Sequence, residues 1–562
     1  MSAPASGPLV DIQGLSVRFG ATDAPAVRDV DLLIRPGECV ALVGESGSGK
    51  SVTARSLIGL AGSQSRIEAK RFLIDGRDAR NFTERDWRGL RGTFAGLVMQ
   101  DALTSLDPLR TIGQEVAEVA VHHRLLKRGD SVDRLVVSTL ARVGVPEPEA
   151  RARQYAHQLS GGLRQRALIA AAIAGGPRLI IADEPTTALD ATVQAQVIGV
   201  LKARIREGAA VLLISHDLAV VAGVADRVHV MRDGRVVDAG ATADVLARPR
   251  HAYTRQLIAA SPSKDSRGAR LSSARFASGE DEAIRIVRDP LPVRPPIADT
   301  VVLEASGLTK RYRALNGGRG EAFTALDHVS FRIRAGEVVG LVGESGSGKS
   351  TCAKIVLGLI EPDEGHVRLL GKPWSGVSER ERRTLRSKLQ YIPQDPLSSF
   401  DPRYRVSDII AENVAGLDRP ARAKRIEALL EQVGLDRSVA ARRPLSLSGG
   451  QRQRVAIARA LAAEPALIVC DEPVSALDVC IQAQVIDLIA ELQSRLGTAL
   501  LFISHDLGLV RHVADQVVVL KDGRVVEHGE ADAVFRAPSH AYTRELIASS
   551  PAALVAAANP LH

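Results

Sequence analysis

Aromatic residues, cysteines and long apolar runs are scarce in this chain of 562 residues. Only 3% of the residues are aromatic, and the four cysteines, Cys39, Cys352, Cys470 and Cys480, are too scattered for a C-x-x-C motif. They are therefore interpreted as small buried residues in a reducing compartment. No segment supplies about twenty consecutive apolar residues, and the N-terminal residues lack the charged start and apolar stretch of a secretory signal. These absences predict a soluble, cytoplasmic protein that reaches a membrane only through partners.

The net positive charge of the chain is interpreted from the way its arginines are distributed. The formal net charge is +8, but the arginines are spread along the sequence and few aromatic residues lie between them. Nucleic-acid-binding surfaces usually concentrate such residues on one face. A diffusely basic surface is expected, and no nucleic acid is expected as a partner.

One glycine-rich segment, Gly-Glu-Ser-Gly-Ser-Gly-Lys-Ser, occurs twice without a change, at 44–51 and 343–350. Both copies match G-x-x-x-x-G-K-[ST], in which backbone N–H groups face phosphates, the lysine reaches the β- and γ-phosphates and the serine holds Mg²⁺. Each copy follows an apolar, strand-like run. The sequence thus predicts two sites for ATP with Mg²⁺. The residues concerned are Gly44, Ser46, Gly47, Gly49, Lys50 and Ser51, and Gly343, Ser345, Gly346, Gly348, Lys349 and Ser350.

Further motifs recur in both halves, mostly at an offset of 288 or 289 residues, which indicates a duplicated domain with short insertions. We predict one domain at 1–262, a linker at 263–299 and a second domain at 300–562. The linker is rich in Arg, Ser and Pro, a composition typical of an exposed connection with a stiff final segment. The repeated motifs are Leu-Ser-Gly-Gly at 159–162 and 447–450, Asp-Glu-Pro at 183–185 and 471–473, Ala-Leu-Asp at 188–190 and 476–478, Ser-His-Asp at 215–217 and 504–506, and His-Ala-Tyr-Thr-Arg at 251–255 and 540–544.

Four continuous apolar runs indicate the fold class. Residues 179–182 and 211–214, with 467–470 and 499–503 in the second half, suit strands buried on both faces of a parallel sheet. Polar residues follow each run directly, at the strand end where open α/β sheets bind ligands. The fold prediction is α/β, with two tandem P-loop ATPase domains.

The polar residues at these strand ends are the candidate catalytic groups. Asp183 and Asp471 are expected to assist Mg²⁺, and Glu184 and Glu472 to polarise the attacking water. Solvated turn acids are the alternative interpretation of an Asp-Glu pair at a strand end. A histidine that follows a buried strand senses the γ-phosphate or serves a structural role, and the candidates here are His216 and His505.

With Leu-Ser-Gly-Gly added, the motifs resemble the ATP-binding cassette family over nearly the whole chain. The resemblance implies that each domain has a RecA-like α/β core, an antiparallel β subdomain and a helical subdomain that carries the Leu-Ser-Gly-Gly signature. It also implies that Gln100 and Gln394 link Mg²⁺ and the attacking water to a transmembrane partner. Phe19 and Tyr312 are similar to the aromatics that stack on adenine in this family, although packing in an edge sheet explains Phe19 nearly as well.

In that family the signature of one domain caps the nucleotide held by the other, so the resemblance implies a pseudo-twofold sandwich. The site containing Lys50, with Asp183, Glu184 and His216, is then completed by the second signature. The site containing Lys349 is completed by the first. The completing residues are Ser448, Gly449, Gly450, Gln451 and Asp478 for one site and Ser160, Gly161, Gly162 and Asp190 for the other.

Two features resemble the peptide and nickel importers of the family. One is the extension after each Q-loop glutamine, at 100–108 and 394–402, and the other is the His-Ala-Tyr-Thr-Arg tail, followed by Ser-Pro at 261–262 and 550–551. The implied protein is a peripheral ATPase at the cytoplasmic face of the inner membrane, with two transmembrane permeases and an extracytoplasmic substrate-binding protein. Di- or oligopeptides are the first expectation for cargo, with glutathione, nickel or metallophores as alternatives. No iron–sulfur cluster is expected, because no cysteine follows Cys480.

Two soluble relatives are rival interpretations. An ABC-F type ribosome-associated ATPase also has tandem domains, but its linker is long, charged and helical, whereas 263–299 is rich in prolines and small residues. A DNA-repair ATPase of the superfamily would need zinc-type cysteine pairs. A further question is Leu163, which stands where the second signature has Gln451.

Overall fold

The computed structural model describes residues 7–20, 24–62, 64–186, 189–263, 266–278, 284–313, 322–414 and 416–549. The chain divides between Ile258 and Ala259 into two compact units, each with one of the glycine-rich loops. Of the predicted motifs, Ala188 and the Ser550-Pro551 pair lie outside the described residues.

A six-stranded sheet forms the centre of the first unit. Three of its strands consist of five consecutive buried residues, as the apolar runs predict for strands covered on both faces. Five strands run parallel and an antiparallel sixth closes one edge, in the order β11-β10-β3-β9-β8-β7. The strands are β3 (Cys39–Val43), β7 (Ala95–Val98), β8 (Leu179–Asp183), β9 (Ala210–Ile214), β10 (Arg227–Arg232) and β11 (Arg235–Ala241).

An antiparallel sheet makes up the rest of the β structure in this unit. Its two long strands alternate apolar and polar residues, so that one face packs on the core and the other faces outward. Its strands are β1 (Val10–Phe19), β2 (Val27–Ile34), β4 (Ser65–Glu68), β5 (Arg71–Ile74) and β6 (Arg77–Asp78), in the order β2-β1-β5-β6 with β4 also paired to β1.

Helices follow the strands or form a group between β7 and β8. That group ends in the helix that begins directly after Ser160. The helices are α1 (Lys50–Ser56), α2 (Glu84–Leu90), α3 (Ala102–Ser105), α4 (Ile112–His122), α5 (Val132–Arg142), α6 (Pro148–Ala152), α7 (Gly161–Ile173), α8 (Ala191–Arg206), α9 (Leu218–Val224), α10 (Thr242–Ala247) and α11 (Ala252–Ala260), with 3₁₀ turns at Ala79–Asn81 and Ala156–Gln158.

The second unit repeats this architecture, which confirms the duplicated α/β fold. Its parallel sheet has the order β19-β20-β21-β16-β22-β23, and its antiparallel sheet has the order β15-β14-β17-β18. The strands are β14 (Val301–Arg313), β15 (Ala322–Arg334), β16 (Val338–Val342), β17 (Glu364–Leu369), β18 (Lys372–Pro373), β19 (Leu389–Ile392), β20 (Leu467–Asp471), β21 (Ala499–Ile503), β22 (Gln516–Lys521) and β23 (Arg524–Glu530).

The helices of the second unit occupy the corresponding positions. They are α12 (Lys349–Val356), α13 (Glu379–Arg382), α14 (Pro396–Ser399), α15 (Val406–Ala411), α16 (Arg419–Gln432), α17 (Gly449–Leu461), α18 (Val479–Leu496), α19 (Leu507–Val513), α20 (Ala531–Arg536) and α21 (Ala541–Ala548), with 3₁₀ turns at Arg386–Lys388, Arg437–Ala441 and Pro444–Ser446. None of the helices in the described part of the chain is long and apolar enough to cross a membrane.

The segment between the ATPase domains differs from the exposed linker that its composition predicts. It contains an antiparallel pair of strands, β12 (Arg275–Ser278) and β13 (Ile284–Val287), and residues on either side of this pair bond to Asp487, His512 and Asp515 of the same unit. Ser266 and Leu271 are fully buried there. The structure therefore departs from the predicted exposed linker at these two positions, because His512 and Asp487 bond to polar groups there, while most of the other described residues of the linker are exposed or half-buried.

All four cysteines are free and buried, as their apolar surroundings predict. Burial raises the pKa of the Cys352 and Cys470 thiols to about 12, so both remain protonated and unreactive at neutral pH.

Candidate nucleotide-binding sites

The two glycine-rich loops join β3 to α1 and β16 to α12, and their geometry requires glycine. Gly44 has φ +148°, and a Cβ atom there would lie 2.2 Å from the Met231 carbonyl oxygen. Gly49, with φ +99°, would bring a Cβ atom within 2.7 Å of the Ala26 carbonyl oxygen. Gly343 and Gly348 repeat both the angles and the close contacts. Side chains are excluded, so the loop backbone packs closely against neighbouring strands and keeps a fixed shape.

The loop lysines lie over their own loops. Lys50 Nζ donates to the carbonyl oxygens of Gly44, at 2.8 Å, and Glu45, at 2.7 Å. Lys349 Nζ makes the same pair of bonds with Gly343 and Glu344, at 2.7 and 2.8 Å. Both lysines are at least 92% buried, since their exposed fractions are 5% and 8%. Each ammonium group is thus held beside the glycine-rich loop where a phosphate is expected.

Asp183 and Asp471 end β8 and β20 beside these loops, as predicted, but their partners differ. Ser51 Oγ donates to Asp183 Oδ1 at 2.9 Å. Asp471 instead accepts a bond of 3.3 Å from the Tyr391 hydroxyl. Burial raises the pKa of both carboxyl groups, and the charge of the adjacent glutamate adds to this effect.

Tyr391 is a residue that the sequence analysis missed. Burial, followed by the nearby charge of Asp471, raises the pKa of its phenol to about 12, so the hydroxyl stays protonated and can donate. The corresponding position of the first domain is Leu97, three residues before Gln100 as Tyr391 is before Gln394. A tyrosine hydroxyl three residues before a predicted site glutamine was the available signal.

Glu184 and Glu472 adopt left-handed backbone conformations, with φ +50° and +47°. This conformation costs energy for a residue with a side chain, and such strain is typical of functional sites. Gln100 Nε2 donates to Glu184 Oε2 at 2.8 Å, and Gln394 Nε2 donates to Glu472 Oε2 at 2.8 Å. The structure therefore brings each predicted base and its glutamine into direct contact.

The histidines of the Ser-His-Asp motifs meet the same glutamates. Nδ1 of His216 lies 3.4 Å from Glu184 Oε2, and Nδ1 of His505 lies 3.0 Å from Glu472 Oε1. Burial opposes protonation of both rings, but the hydrogen bond and charge of the paired glutamate outweigh it and raise the pKa of each histidine. Burial likewise opposes ionisation of Glu472, yet the His505 contacts hold the pKa of this carboxyl below its usual value. Each glutamate thus has both a glutamine and a histidine as partners.

Both signature serines cap helices. Ser160 Oγ accepts from the N–H group of Leu163 at the start of α7, and Ser448 Oγ accepts from Gln451 N at the start of α17. The Gln451 side-chain oxygen in turn accepts from the Ser448 N–H group at 3.2 Å, which completes a capping box. Leu163 cannot make that bond. In this structure the amide of Gln451 therefore caps its own helix.

The other residues that are predicted to complete the opposite sites, the signature glycines and two aspartates, pack within their own domains. A Cβ atom on Gly162 or Gly450 would meet Val193 or Ile481 within 3 Å, whereas Gly161 has open space on that side. Asp190 and Asp478 accept from backbone N–H groups at the starts of α8 and α18, at 2.9 and 3.1 Å. Each therefore has a capping role within its own domain.

The predicted adenine-stacking residues differ in exposure. Phe19 ends β1 and packs partly against the core of its unit, as the alternative interpretation holds. Tyr312 is 40% exposed near the end of β14, and the Lys310 ammonium lies 6.0 Å from its ring centre. Tyr312 thus offers a free ring surface, and Phe19 offers less.

Two family models match this chain. The model described as "ABC transporter" matches residues 27–187 and 326–475, which include both glycine-rich loops and both signatures. This chain belongs to the ABC transporter family. It is an ATP-binding and ATP-hydrolysing member with two cassettes in one chain. A second model, "Oligopeptide/dipeptide transporter, C-terminal region", matches residues 237–281 and 526–558.

Several relatives align with nearly the whole of this chain. The chain is 40% identical to the peptidoglycan transport ATP-binding protein YejF of Agrobacterium fabrum, over 97% of this chain and 96% of that protein. It is 39% identical to the oligopeptide transport ATP-binding protein OppD of Mycobacterium tuberculosis, over 97% and 98%. It is also 40% identical to the glutathione import ATP-binding protein GsiA of Pectobacterium atrosepticum, over 98% and 92%. A solved ATP-binding cassette bound to ADP and Pi matches 41% of this chain at 31% identity, with a TM-score of 0.37.

Proposed function

We propose that this chain is the energising subunit of an importer for di- or oligopeptides. The observation that carries the proposal is the oligopeptide/dipeptide C-terminal region, which follows each of the two cassettes. Relatives that align over nearly the whole chain are named for oligopeptide, glutathione and peptidoglycan transport, so peptide-like cargo is common to their names. The chain would act at the cytoplasmic face of the inner membrane, with two permease subunits and an extracytoplasmic substrate-binding protein.

In each site we assign the chemistry to the glutamate that follows the strand. Glu184 and Glu472 take the proton of the attacking water, and Gln100 and Gln394 orient that water. His216 and His505 hold the glutamates through the contacts described above. The signature serines and glycines, with Asp190 and Asp478, complete the opposite sites when the cassettes close.

The residues present fit Mg²⁺ in the first site. Ser51 Oγ and Asp183 Oδ1 lie 2.9 Å apart and are hard oxygen donors of the type that this ion prefers. We assign Ser51, Asp183 and Gln100 to Mg²⁺ in that site, and Ser350, Asp471 and Gln394 in the other. When bound, Mg²⁺ neutralises phosphate charge and orients the phosphates.

Transport follows if ATP binds the closed pair of cassettes more tightly than the open pair. Closure moves the permeases toward one access state, and hydrolysis returns them to the other. The cargo is selected by the receptor and the permeases, so this chain supplies the energy for several possible cargoes.

Reconstitution with two permease subunits and a substrate-binding protein tests the proposal. Vesicles that contain the full complex should accumulate labelled di- or oligopeptides with ATP, and vesicles that lack any one subunit should not. A panel with glutathione, nickel and a metallophore compares the cargo alternatives. Uptake of nickel alone, or cosedimentation of the chain with ribosomes instead of membranes, would contradict the peptide assignment.

A further inference from the structure

The tyrosine of each His-Ala-Tyr-Thr-Arg motif contacts the glycine-rich loop of its own domain. The Tyr253 hydroxyl accepts a hydrogen bond of 2.8 Å from the backbone N–H group of Glu45. The Tyr542 hydroxyl accepts one of 3.0 Å from Glu344 N. Both tyrosines are almost fully buried, at 2% and 3% exposure. The same contact thus forms twice, between segments that lie 208 and 198 residues apart in the chain.

The rest of the motif fixes the position of the tyrosine. In the first domain His251 Nδ1 accepts from Tyr253 N, and Asp238 on β11 accepts from the N–H groups of Arg250 and His251. The second domain repeats both features, with His540 as the helix cap and Glu527 on β23 as the acceptor. A cation also lies near each tyrosine ring. Arg232 is 5.0 Å from the centre of the Tyr253 ring, and Lys521 is 4.6 Å from that of Tyr542.

The peptide group that donates to the tyrosine hydroxyl also holds the loop lysine. The N–H group of Glu45 and the carbonyl group of Gly44 belong to one peptide plane. Tyr253 accepts from its N–H group, and its carbonyl oxygen accepts from Lys50 Nζ at 2.8 Å. In the second domain the Gly343–Glu344 peptide joins Tyr542 and Lys349 in the same way. A peptide bonded at both ends is polarised and cannot rotate, so the tyrosine fixes the carbonyl group that positions the lysine.

We propose that Tyr253 and Tyr542 are positioning residues for ATP binding, which hold the first peptide of the glycine-rich loop so that Lys50 and Lys349 are aligned for the phosphates. The C-terminal extension of each cassette is then part of the nucleotide site of that cassette. This proposal depends on the assignment of the two lysines to the phosphates.

Removal of one tyrosine hydroxyl should weaken nucleotide binding at one site only. The net contribution of a single hydrogen bond corresponds to a change in affinity of about two- to tenfold. Tyr253→Phe keeps the ring and its packing, so we expect a loss of that size at the site containing Lys50. Tyr542→Phe should cause the same loss at the site containing Lys349.

A crossed design in the full chain separates the two sites. In a Lys349→Ala background, where only the first site retains its lysine, Tyr253→Phe should raise the dissociation constant of ATP about two- to tenfold, and Tyr542→Phe should leave it unchanged. In a Lys50→Ala background the two tyrosine variants should exchange behaviour. Binding is measured with a fluorescent ATP analogue in EDTA, which prevents hydrolysis.

Thr254→Val is the control for damage to the helix. Thr254 follows Tyr253, is 2% exposed, and its hydroxyl has no hydrogen-bond partner within the described residues. This variant should bind ATP as the parent does. Equal affinity of the Tyr253→Phe and Thr254→Val chains, or a loss that appears at both sites, would overturn the proposal. Retained binding in the Lys50→Ala, Lys349→Ala double variant would instead overturn the assignment of the lysines.

Discussion

At the scale of single residues, the two sites are built around Glu184 and Glu472. Each has a left-handed backbone conformation, a glutamine partner and a histidine partner. The position directly after a buried strand predicted the glutamates and the histidines, and the resemblance to the ATP-binding cassette family predicted the glutamines. The contacts among them could not be predicted, because they depend on which strands are neighbours in the sheet.

Replacement of both glutamates tests their role as bases. The Glu184→Gln, Glu472→Gln chain should bind ATP and remain closed, because a glutamine side chain cannot take a proton from water. Loss of such a base commonly lowers the rate by about 10² to 10⁴. Phosphate release by the assembled transporter is the measurement, and near-normal turnover would contradict the assignment.

The pair of His505 and Glu472 predicts a pH dependence of stability. The pKa of His505 is raised in the folded protein, so its stabilisation is complete below its unfolded value of about 6.5 and disappears as pH rises through the folded value. The pKa of Glu472 is lowered, so its contribution requires a pH above about 4.3. In the absence of nucleotide, the parent should melt at a higher temperature than the Glu472→Gln variant. This difference in melting temperature should be largest near pH 5 to 6.5 and should become smaller at higher pH.

His512 supplies a contrast of opposite sign for this experiment. Burial lowers its pKa to about 4, so the folded ring stays neutral while the ring in the unfolded chain binds a proton below its ordinary value of about 6.5. The excess melting temperature of the parent over His512→Asn should therefore fall as pH decreases from 8 to 5. A Glu472→Gln difference that does not change with pH would show that His505 is not protonated by the pair.

At the scale of elements, the segment after the first cassette forms hydrogen bonds with helices of the second cassette. Asp487 on α18 is 3% exposed and accepts bonds from the N–H groups of Leu271 and Ser272, both at 2.8 Å, and from the Ser272 hydroxyl at 2.5 Å. His512 on α19 lies 3.0 Å from the buried Ser266 hydroxyl. Arg294 forms an ion pair with Asp515, whose carboxylate also accepts from Val338 N at the start of β16.

The two cassettes differ at these positions. Where the second has Asp487 and His512, the equivalent residues of the first are Gly199 and Gly223, neither of which has a side chain to bond to such a segment. Composition alone predicted an exposed linker, because serine and arginine are usually solvated. Side chains on helices that are distant in the chain accept hydrogen bonds from the linker, so part of it is docked and not exposed.

Asp487→Ala should destabilise the protein. The change leaves three donors of the linker without their acceptor. The Leu271 N–H group is buried, and a buried unpaired group costs about 1 to 3 kcal/mol, whereas the donors of the exposed Ser272 can bond to water. Asp487→Asn, which keeps one acceptor oxygen, should cost less. Denaturant unfolding measures the difference, with Glu431→Ala on an exposed side chain as the control. Equal stability of Asp487→Ala and the control would show that the docked segment contributes nothing to the fold.

At the scale of the whole molecule, the question is whether both sites turn over. The first signature has Leu163 in place of the glutamine, but the residues expected to meet phosphate, Ser160 and the two glycines after it, are present. In the second signature Gln451 caps its own helix, so its absence in the first removes one peripheral hydrogen bond. Such a bond contributes about 0.5 to 1.5 kcal/mol.

Leu163→Gln should therefore change ATPase activity by less than about tenfold. Gly161→Asp, at a position with open space in its own domain, should fold and yet disable the site containing Lys349, because in the proposed closed pair of cassettes it places a carboxylate against the γ-phosphate. Both variants are assayed in the reconstituted complex. A gain far above tenfold for Leu163→Gln would show that one site had been catalytically silent.

The sequence by itself determined the two cassettes and their buried parallel strands, and it predicted the candidate site residues. This was possible because glycine-rich turns, apolar runs and capping serines act over a few neighbouring residues. The tertiary structure decided which distant groups meet. The hydrogen bond from Glu45 to Tyr253, the donation from Tyr391 to Asp471 and the docking of the linker on Asp487 each join residues that come together only when sheet order and helix packing are set. Such contacts have no local pattern, because the partners lie 80 to 216 residues apart in the chain.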